Sequence, residues 1–343
     1  MIVVDARPLA LPLTGVGRYA LEVLERLPLP AGTVAVARPG TELAGLPVPV
    51  LHRGPAAPDL LWNEVSVAPL LRRASAYLAL NGQLPWTVTG RCRTVSLVHD
   101  LVHRDRGVDM PWGLRLSRES AVLASVRRAT VLATTTQYVS DQLATRYGRP
   151  ADLVLPAGPT LPTASPEDVD RARRVLAARP DATRWVLAVG SEVPRKNYPR
   201  LTRAVAGLPA TGLVLVGGRS DRAVGAALDA LGDRLPLLRP GYVDQGLLAG
   251  LYAVTDVLGY PSLAEGNGLP LQDARRAGLP VLTSDRQPMA AHAGPAGRLV
   301  DPLDEEALGN ALATVLAAPR PAPEVLPGWD ETAGELARAL GLW

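Results

Sequence analysis

Phenylalanine is absent from this chain of 343 residues, Ile2 is its sole isoleucine and Lys196 its sole lysine. All three residue types use AT-rich codons, so their scarcity points to a GC-rich genome. Every other basic residue among the 36 is arginine. That excess then reflects codon drift, and it does not mark a nucleic-acid partner. The arginines are scattered among 33 acidic residues and the net charge is only +3, whereas a nucleic-acid face needs clustered charge. Cys92 is the single cysteine, which excludes a disulfide framework within the chain and fits a reducing compartment. No apolar run approaches the roughly 18 residues that a membrane-crossing helix requires. No short tandem repeat is visible, so a solenoid is not expected. The first residues, Met1-Ile2-Val3-Val4-Asp5, read straight into a strand without a basic segment or a small-residue cleavage site. No signal peptide is expected, and the expected location is cytoplasmic.

What is present is an apolar content of 47%, enough to build cores in two domains of ordinary size. Short apolar runs alternate with amphipathic stretches, the βα pattern of a parallel sheet. In the first half the pattern predicts strands at 2–5, 33–37, 47–51, 76–80, 94–99 and 130–134. Helices are predicted near 16–27, 60–73, 111–128 and 136–146. A Pro- and Ser-rich stretch from Leu155 to Pro166 reads as a crossing between domains. The alternation then restarts, with strands at 185–190, 212–216, 236–239, 256–260, 280–283 and 298–300. The accompanying helices fall near 166–178, 197–206, 220–232, 244–253, 268–277 and 304–317. After a second Pro-rich stretch, Pro319 to Pro327, a last helix runs from Trp329 to Leu342. The expected fold class is α/β, with two Rossmann-like domains facing across a cleft: 1–158, 159–328, and a tail 329–343 that crosses back to the first domain. Ligands of open parallel sheets bind at the carboxyl ends of the strands.

Two segments carry most of the chemistry. Gly190-Ser191-Glu192-Val193-Pro194-Arg195-Lys196-Asn197 follows a strand and precedes a helix, so it places two adjacent cations at a strand end. Lysine is a compact point charge that arginine does not replace, so a single lysine in an arginine-using chain marks a place that needs one. Such cations stabilise the negative charge that develops on a leaving diphosphate. A basic turn on a solvated surface is the competing explanation. The second segment runs from Tyr260 through Glu265-Gly266-Asn267-Gly268-Leu269 to Asp273. Its glycine-rich turn opens a helix whose first N–H groups favour an anion. Glu265 just before that helix and Asp273 a turn inside it can accept hydrogen bonds from sugar and ribose hydroxyls. A surface loop acid and a helix acid favoured by the dipole are the plainer explanations.

These segments resemble the donor-site motifs of retaining glycosyltransferases of family 4, which have the GT-B fold. That family carries a glutamate, seven residues and a second glutamate; Glu265 and Asp273 have the spacing, with aspartate in the second place. The family often has phenylalanine where Asn267 stands. Pro194-Arg195-Lys196-Asn197, Thr14-Gly15-Val16-Gly17-Arg18-Tyr19 and Val98-His99-Asp100 are also similar to family motifs, and Trp329 with the last helix resembles the family's C-terminal return. The resemblance implies a nucleoside diphosphate sugar donor, UDP- or GDP-linked, and no essential metal or other cofactor. It implies that Arg195 and Lys196 hold the diphosphate and that Glu265 contacts the transferred sugar. Asp273 would contact the ribose, and His99 would approach the sugar from the acceptor side. Gly15, Val16, Gly17, Gly190, Asn267, Gly268 and Leu269 would contribute backbone contacts to the donor. The acceptor would be a small molecule, a lipid or an oligosaccharide. The overall pattern is similar to actinomycete glycosyltransferases of oligosaccharide antibiotics, of the avilamycin type.

Other readings compete. Gly15-x-Gly17-x-x-Ala20 fits a loose dinucleotide fingerprint, which would make the chain an NADP-dependent reductase, but the glycines do not follow the strand directly. A catalytically weak nucleotide-sugar-binding subunit is the reading to which Asp273 lends weight. His99 and His103 have zinc-ligand spacing without an evident third ligand. Asp168-Val169-Asp170 looks like a metal-binding acid pair but follows Ser165-Pro166, a helix start. The stretch Leu114 to Arg128, with Arg115, Arg118, Arg127 and Arg128, reads as a packed helix with a solvated face, and no membrane contact is expected.

Overall fold

Strands that are apolar on both sides need cover on both faces, and this is how the chain is built. The computed structural model describes residues 1–88, 90–105 and 110–342. Two compact units emerge. The first combines residues 1–105 and 110–158 with the C-terminal stretch from Pro327, and the second is Pro159–Leu326.

The first unit contains a parallel sheet of β1 (Ile2–Asp5), β2 (Val34–Ala37), β3 (Val50–His52), β4 (Ala76–Ala79), β5 (Arg93–Val98), β6 (Val131–Thr134) and β7 (Leu153–Val154), in the order β3-β2-β1-β4-β5-β6-β7. The second contains β8 (Arg184–Val189), β9 (Thr211–Val216), β10 (Leu237–Gly241), β11 (Val257–Tyr260), β12 (Val281–Ser284) and β13 (Arg298–Val300), ordered β10-β9-β8-β11-β12-β13. Each sheet reverses direction of growth beside its first strand, the doubly wound arrangement whose crevice lies at that switch point.

Alternation along the strands explains the core of the second unit. Val186 and Ala188 of β8, with Leu213 and Leu215 of β9, face Leu201, Val205, Leu308 and Leu312 on one side of the sheet. Trp185, Leu187, Val214 and Val216 face Leu176, Leu251, Leu271 and Met289 on the other. Side chains two apart along a strand share a face, so the continuous apolar runs feed both layers.

Local chemistry sets the helix starts. Thr136, Asp221, Asp244 and Asp304 each accept a hydrogen bond from a backbone N–H three residues on. Ser165 and Asp168 form a reciprocal capping box at the helix Pro166–Leu176, which satisfies two of the orphan donors of a helix end. Asp168 is therefore occupied as a cap. The stretch expected as one helix over 60–73 instead contains a π-helical turn at Asn63–Val67 between short α-helical pieces. A short helix at Met289–His292 and strand β7 are additional elements. Among the described residues, no helix is long and apolar enough to cross a membrane.

The last helix, Trp329–Leu340, belongs to the first unit; Trp343 lies outside the described residues. Trp329 is buried, and its ring meets that of Tyr19 edge-on with centroids 5.0 Å apart. Gly158 makes room for it: a β-carbon there would come within 3.1 Å of the indole. Thr332 donates a hydrogen bond to the carbonyl of Pro156 at 2.5 Å, and Arg93 donates one to that of Ala339 at 2.5 Å. Deleting a buried indole removes its transfer energy and leaves a cavity. Trp329→Ala should lower stability by about 3–5 kcal/mol, seen as an earlier midpoint in urea unfolding; an unchanged midpoint would mean the tail is not part of the first unit's core.

Candidate donor site of the second unit

The turn after β8 and the turn after β11 leave neighbouring strands on the two sides of the switch point. Asn197 sits in the left-handed region at φ 60, a conformation that asparagine tolerates better than most residues. Its side-chain amide donates to the carbonyls of Pro261 at 3.2 Å and Pro302 at 2.6 Å. Leu263 N–H donates to the carbonyl of Arg195 at 2.7 Å. These bonds join the two turns and fix Arg195 and Lys196 over the residues that follow β11.

Glu265 receives both cations. One of its oxygens lies 2.6 Å from Arg195 Nη1 and the other 2.8 Å from Lys196 Nζ. Lys196 also donates to the hydroxyl of Tyr260 at 2.6 Å and lies 4.2 Å from that ring's centroid. Arg195 also donates to the carbonyl of Ala264 at 3.2 Å. The Lys196 and Glu265 side chains are only 7% and 8% exposed. Gly190, at φ 135, is where the chain needs no side chain: a β-carbon would meet Lys196 Cε at 2.9 Å. This gives Gly190 a packing reason beside the donor-contact role expected for it.

One carboxylate cannot balance two cations, the buried Lys196 and the part-exposed Arg195. Burial opposes ionisation of Glu265, but Lys196 and Arg195 outweigh it and hold its carboxyl down to about 2. Burial lowers the Lys196 ammonium to about 8, with Arg195 adding repulsion against the attraction of Glu265. The cluster therefore carries an excess positive charge in a dry place, a setting that favours an anion. The buried hydroxyls of Tyr198 and Ser262 have no hydrogen-bond partner there, and such orphans in a native interior call for an explanation.

The glycine-rich turn behaves as expected locally. Gly268, at φ 93, leads into the helix Leu269–Arg276, which has no side-chain cap. The Asn267 side chain accepts from Gln272 at 3.2 Å, and its carbonyl accepts from His292 Nδ1 at 2.6 Å. Burial lowers the His292 pKa, so a neutral ring fits this bond. Tyr198 and Tyr260 lie in or beside the two segments read from the sequence, whereas His292 was not foreseen as a neighbour of the site.

The Asp273 carboxylate is engaged by the chain itself. One oxygen accepts from the backbone of Thr160 at 2.6 Å and of Leu161 at 3.2 Å, and the other from the Thr160 hydroxyl at 2.9 Å. Aspartate here pins the segment that leads into the second unit. Burial raises its pKa against those hydrogen bonds.

In the first unit the expected residues are placed differently from a phosphate loop. Thr14 caps the helix Gly15–Leu24 by accepting from Gly17 N–H at 3.3 Å. Gly15 is exposed and Val16 half-buried. Gly17 is buried, and a β-carbon would lie 2.3 Å from the Pro8 carbonyl oxygen. The absence of a side chain at Gly17 serves close packing within the unit. The reductase fingerprint fails on the same geometry, because the turn Arg7–Leu9 separates β1 from the glycines. His99 Nε2 is 2.7 Å from the Leu80 carbonyl, which can only accept. Burial lowers the His99 pKa, so its imidazole is neutral, with the proton on Nε2 and the acceptor lone pair on Nδ1. His103 pairs with Glu119 at 3.1 Å. Among the described residues no group of three or more His, Cys, Asp or Glu side chains is arranged to hold a metal.

Comparison with known proteins places the chain in a family. A family model described as group 1 glycosyl transferases covers residues 183–318. A D-inositol 3-phosphate glycosyltransferase of Actinosynnema mirum is 32% identical over 301 residues, covering 76% of this chain and 70% of that protein. A protein of the same name from Rhodococcus opacus is 31% identical over 268 residues, 70% of this chain but only 58% of the relative's length. In fold, the chain is similar to WaaG, a glycosyltransferase involved in lipopolysaccharide biosynthesis, with a TM-score of 0.73, 21% identity and coverage of 98% and 95%. It is also similar to Anabaena HepE, solved in complex with UDP-glucose, with a TM-score of 0.71, 18% identity and coverage of 99% and 93%.

The Asp273 assignment can be checked by unfolding. Asp273→Ala strands two backbone N–H groups, so a loss of at least about 2 kcal/mol is expected. A variant as stable as the wild type would show that the carboxylate does not hold Thr160 and Leu161.

Proposed function

Because this chain belongs to the group 1 glycosyltransferases, we propose that its second unit holds a nucleoside diphosphate sugar, UDP- or GDP-linked. The sugar passes to an acceptor hydroxyl with retention of anomeric configuration. The observation that carries this reading is the pair of cations, Arg195 and Lys196, sharing the single buried carboxylate of Glu265.

The diphosphate brings the negative charge that the cluster lacks. As the bond from the anomeric carbon to the phosphate oxygen breaks, charge grows on the diphosphate. Arg195 and Lys196, already positioned, stabilise it without reorganising. The uncapped helix start at Gly268–Leu269 adds backbone N–H groups of the same sign. In this reading those groups do the electrostatic work, and transfer needs no metal.

Retention by double displacement would need a carboxylate free to attack the anomeric carbon. Both oxygens of Glu265 are committed to cations, so it is a poor nucleophile. A same-face displacement fits better: the acceptor oxygen forms its bond to the anomeric carbon as the phosphate leaves, and the acceptor proton goes to the departing phosphate oxygen. Trapping of a covalent glycosyl adduct on the protein would overturn this step.

The relatives named for transfer to an inositol phosphate, and the neighbour named for lipopolysaccharide synthesis, support a role in antibiotic or cell-surface glycan assembly in a GC-rich bacterium.

Lys196→Ala should lower transfer by at least about 100-fold, the scale of losing one preorganised charge stabiliser. Glu265→Gln removes the anion that positions both cations, so it should also lower transfer, with circular dichroism confirming that each variant folds. Full activity in either would sink the assignment. The pH dependence has a defined sign. Lys196 is charged below about pH 8 and loses its proton as pH rises through that value. The donor KM should therefore climb above about pH 8, and a flat profile from pH 6 to 10 would contradict the role given to the ammonium.

A further inference from the structure

The peptide that joins Asn267 to Gly268 could point either way. Gly268 stands at φ 93, a region open to glycine and closed to most other residues. A peptide unit before such a glycine turns over at little steric cost, because no β-carbon opposes it. A trans peptide is planar, so its carbonyl and its N–H point in opposite directions. Whatever fixes the Asn267 carbonyl therefore fixes the Gly268 N–H as well. Gly268 is buried, and among the described residues no protein group accepts from its N–H. A buried backbone donor needs a partner, so the direction of this peptide matters.

One side chain sets that direction. His292, the last residue of the short helix Met289–His292, holds Nδ1 2.6 Å from the Asn267 carbonyl oxygen. A carbonyl only accepts, so the proton of this bond sits on Nδ1. The ring's own position is well supported. Met289, at the start of the same helix, is fully buried in the core cluster that contains Leu271 of the helix Leu269–Arg276. Arg275 of that helix donates to the His292 carbonyl at 3.4 Å and pairs with Glu324 at 2.7 Å. Gly294, at φ 75, leaves room for Arg275: a β-carbon there would come within 2.5 Å of its Nε.

The Asn267 side chain is held separately, by Gln272 at 3.2 Å. The carbonyl of Asn267 is thus the handle by which His292 acts on the turn. This turn also carries Glu265, whose carboxylate joins Arg195 and Lys196. A backbone donor that alternates between two directions would serve an anion only part of the time. One that is fixed beforehand meets the anion without reorganising.

We propose that His292 is a positioning residue of this turn: its bond to the Asn267 carbonyl holds the Asn267–Gly268 peptide in the direction that offers the Gly268 N–H to the diphosphate. His292 itself touches no atom of the sugar nucleotide. The inference rests on the donor reading above and adds a part of the site's geometry that neither cation supplies.

Calorimetric titration of the full chain with UDP and GDP tests it through two substitutions that separate the hydrogen bond from the packing. His292→Leu keeps an apolar bulk and has no N–H to donate. His292→Asn loses the ring but carries an amide nitrogen the same number of bonds from the backbone as Nδ1. His292→Leu should weaken nucleotide binding about three- to tenfold, the scale of one hydrogen bond, and His292→Asn should recover most of that loss. If the wild type binds UDP or GDP and His292→Leu binds it equally well, the peptide does not depend on His292; the inference is overturned and the donor reading stands. If His292→Asn binds as weakly as His292→Leu, or more weakly, the ring acts by packing and the inference is overturned as well. If the wild type binds neither nucleotide, the donor reading itself falls, and the inference with it.

Discussion

One buried carboxylate held between two cations is the constraint around which the second unit is organised. Burying Lys196 and Glu265 beside the part-exposed Arg195 costs desolvation. The chain meets that cost with a set of devices that have no other evident purpose. Asn197 adopts a left-handed conformation to tie the turns of two strands together. Gly190 gives up a side chain so that Lys196 can pass. Tyr260 offers both a hydroxyl and a ring face to the ammonium. The result is a site left with more positive than negative charge, which is electrostatic preorganisation for an anion before any anion arrives.

The same constraint separates the roles of two acids that look equivalent in the sequence. Glu265 and Asp273 have the spacing of a paired motif, yet they face different tasks. Glu265 is ionised by its cations and sits in the charged cluster. Asp273 is a structural acceptor, three hydrogen bonds from Thr160 and Leu161. The shorter aspartate holds the backbone of Thr160 and Leu161.

Much of the second unit could be read in advance because its signals are local. Buried parallel strands appear as unbroken apolar runs, helix starts as Ser, Thr or Asp, and Lys196 stands out because the chain uses arginine everywhere else. What escaped depends on partners distant in the chain. Thr160 is 113 residues from Asp273, and nothing near either residue announces the contact. Pro8 comes against Gly17 through the path of a turn that has no periodicity, so the packing reason for that glycine was not visible in the sequence. Strand β7, two residues long, is too short to show a pattern at all.

Proton linkage tests the central claim most directly. An anion joining the cluster should restore the proton affinity that burial and Arg195 remove from Lys196. Titration of UDP near pH 8, in buffers of different ionisation enthalpy, should then show uptake of about half a proton per nucleotide bound. The uptake should vanish in Lys196→Arg, whose side chain stays charged. Binding with no proton uptake near pH 8 in the wild type would mean that the diphosphate does not meet Lys196, and the account of the site would fail.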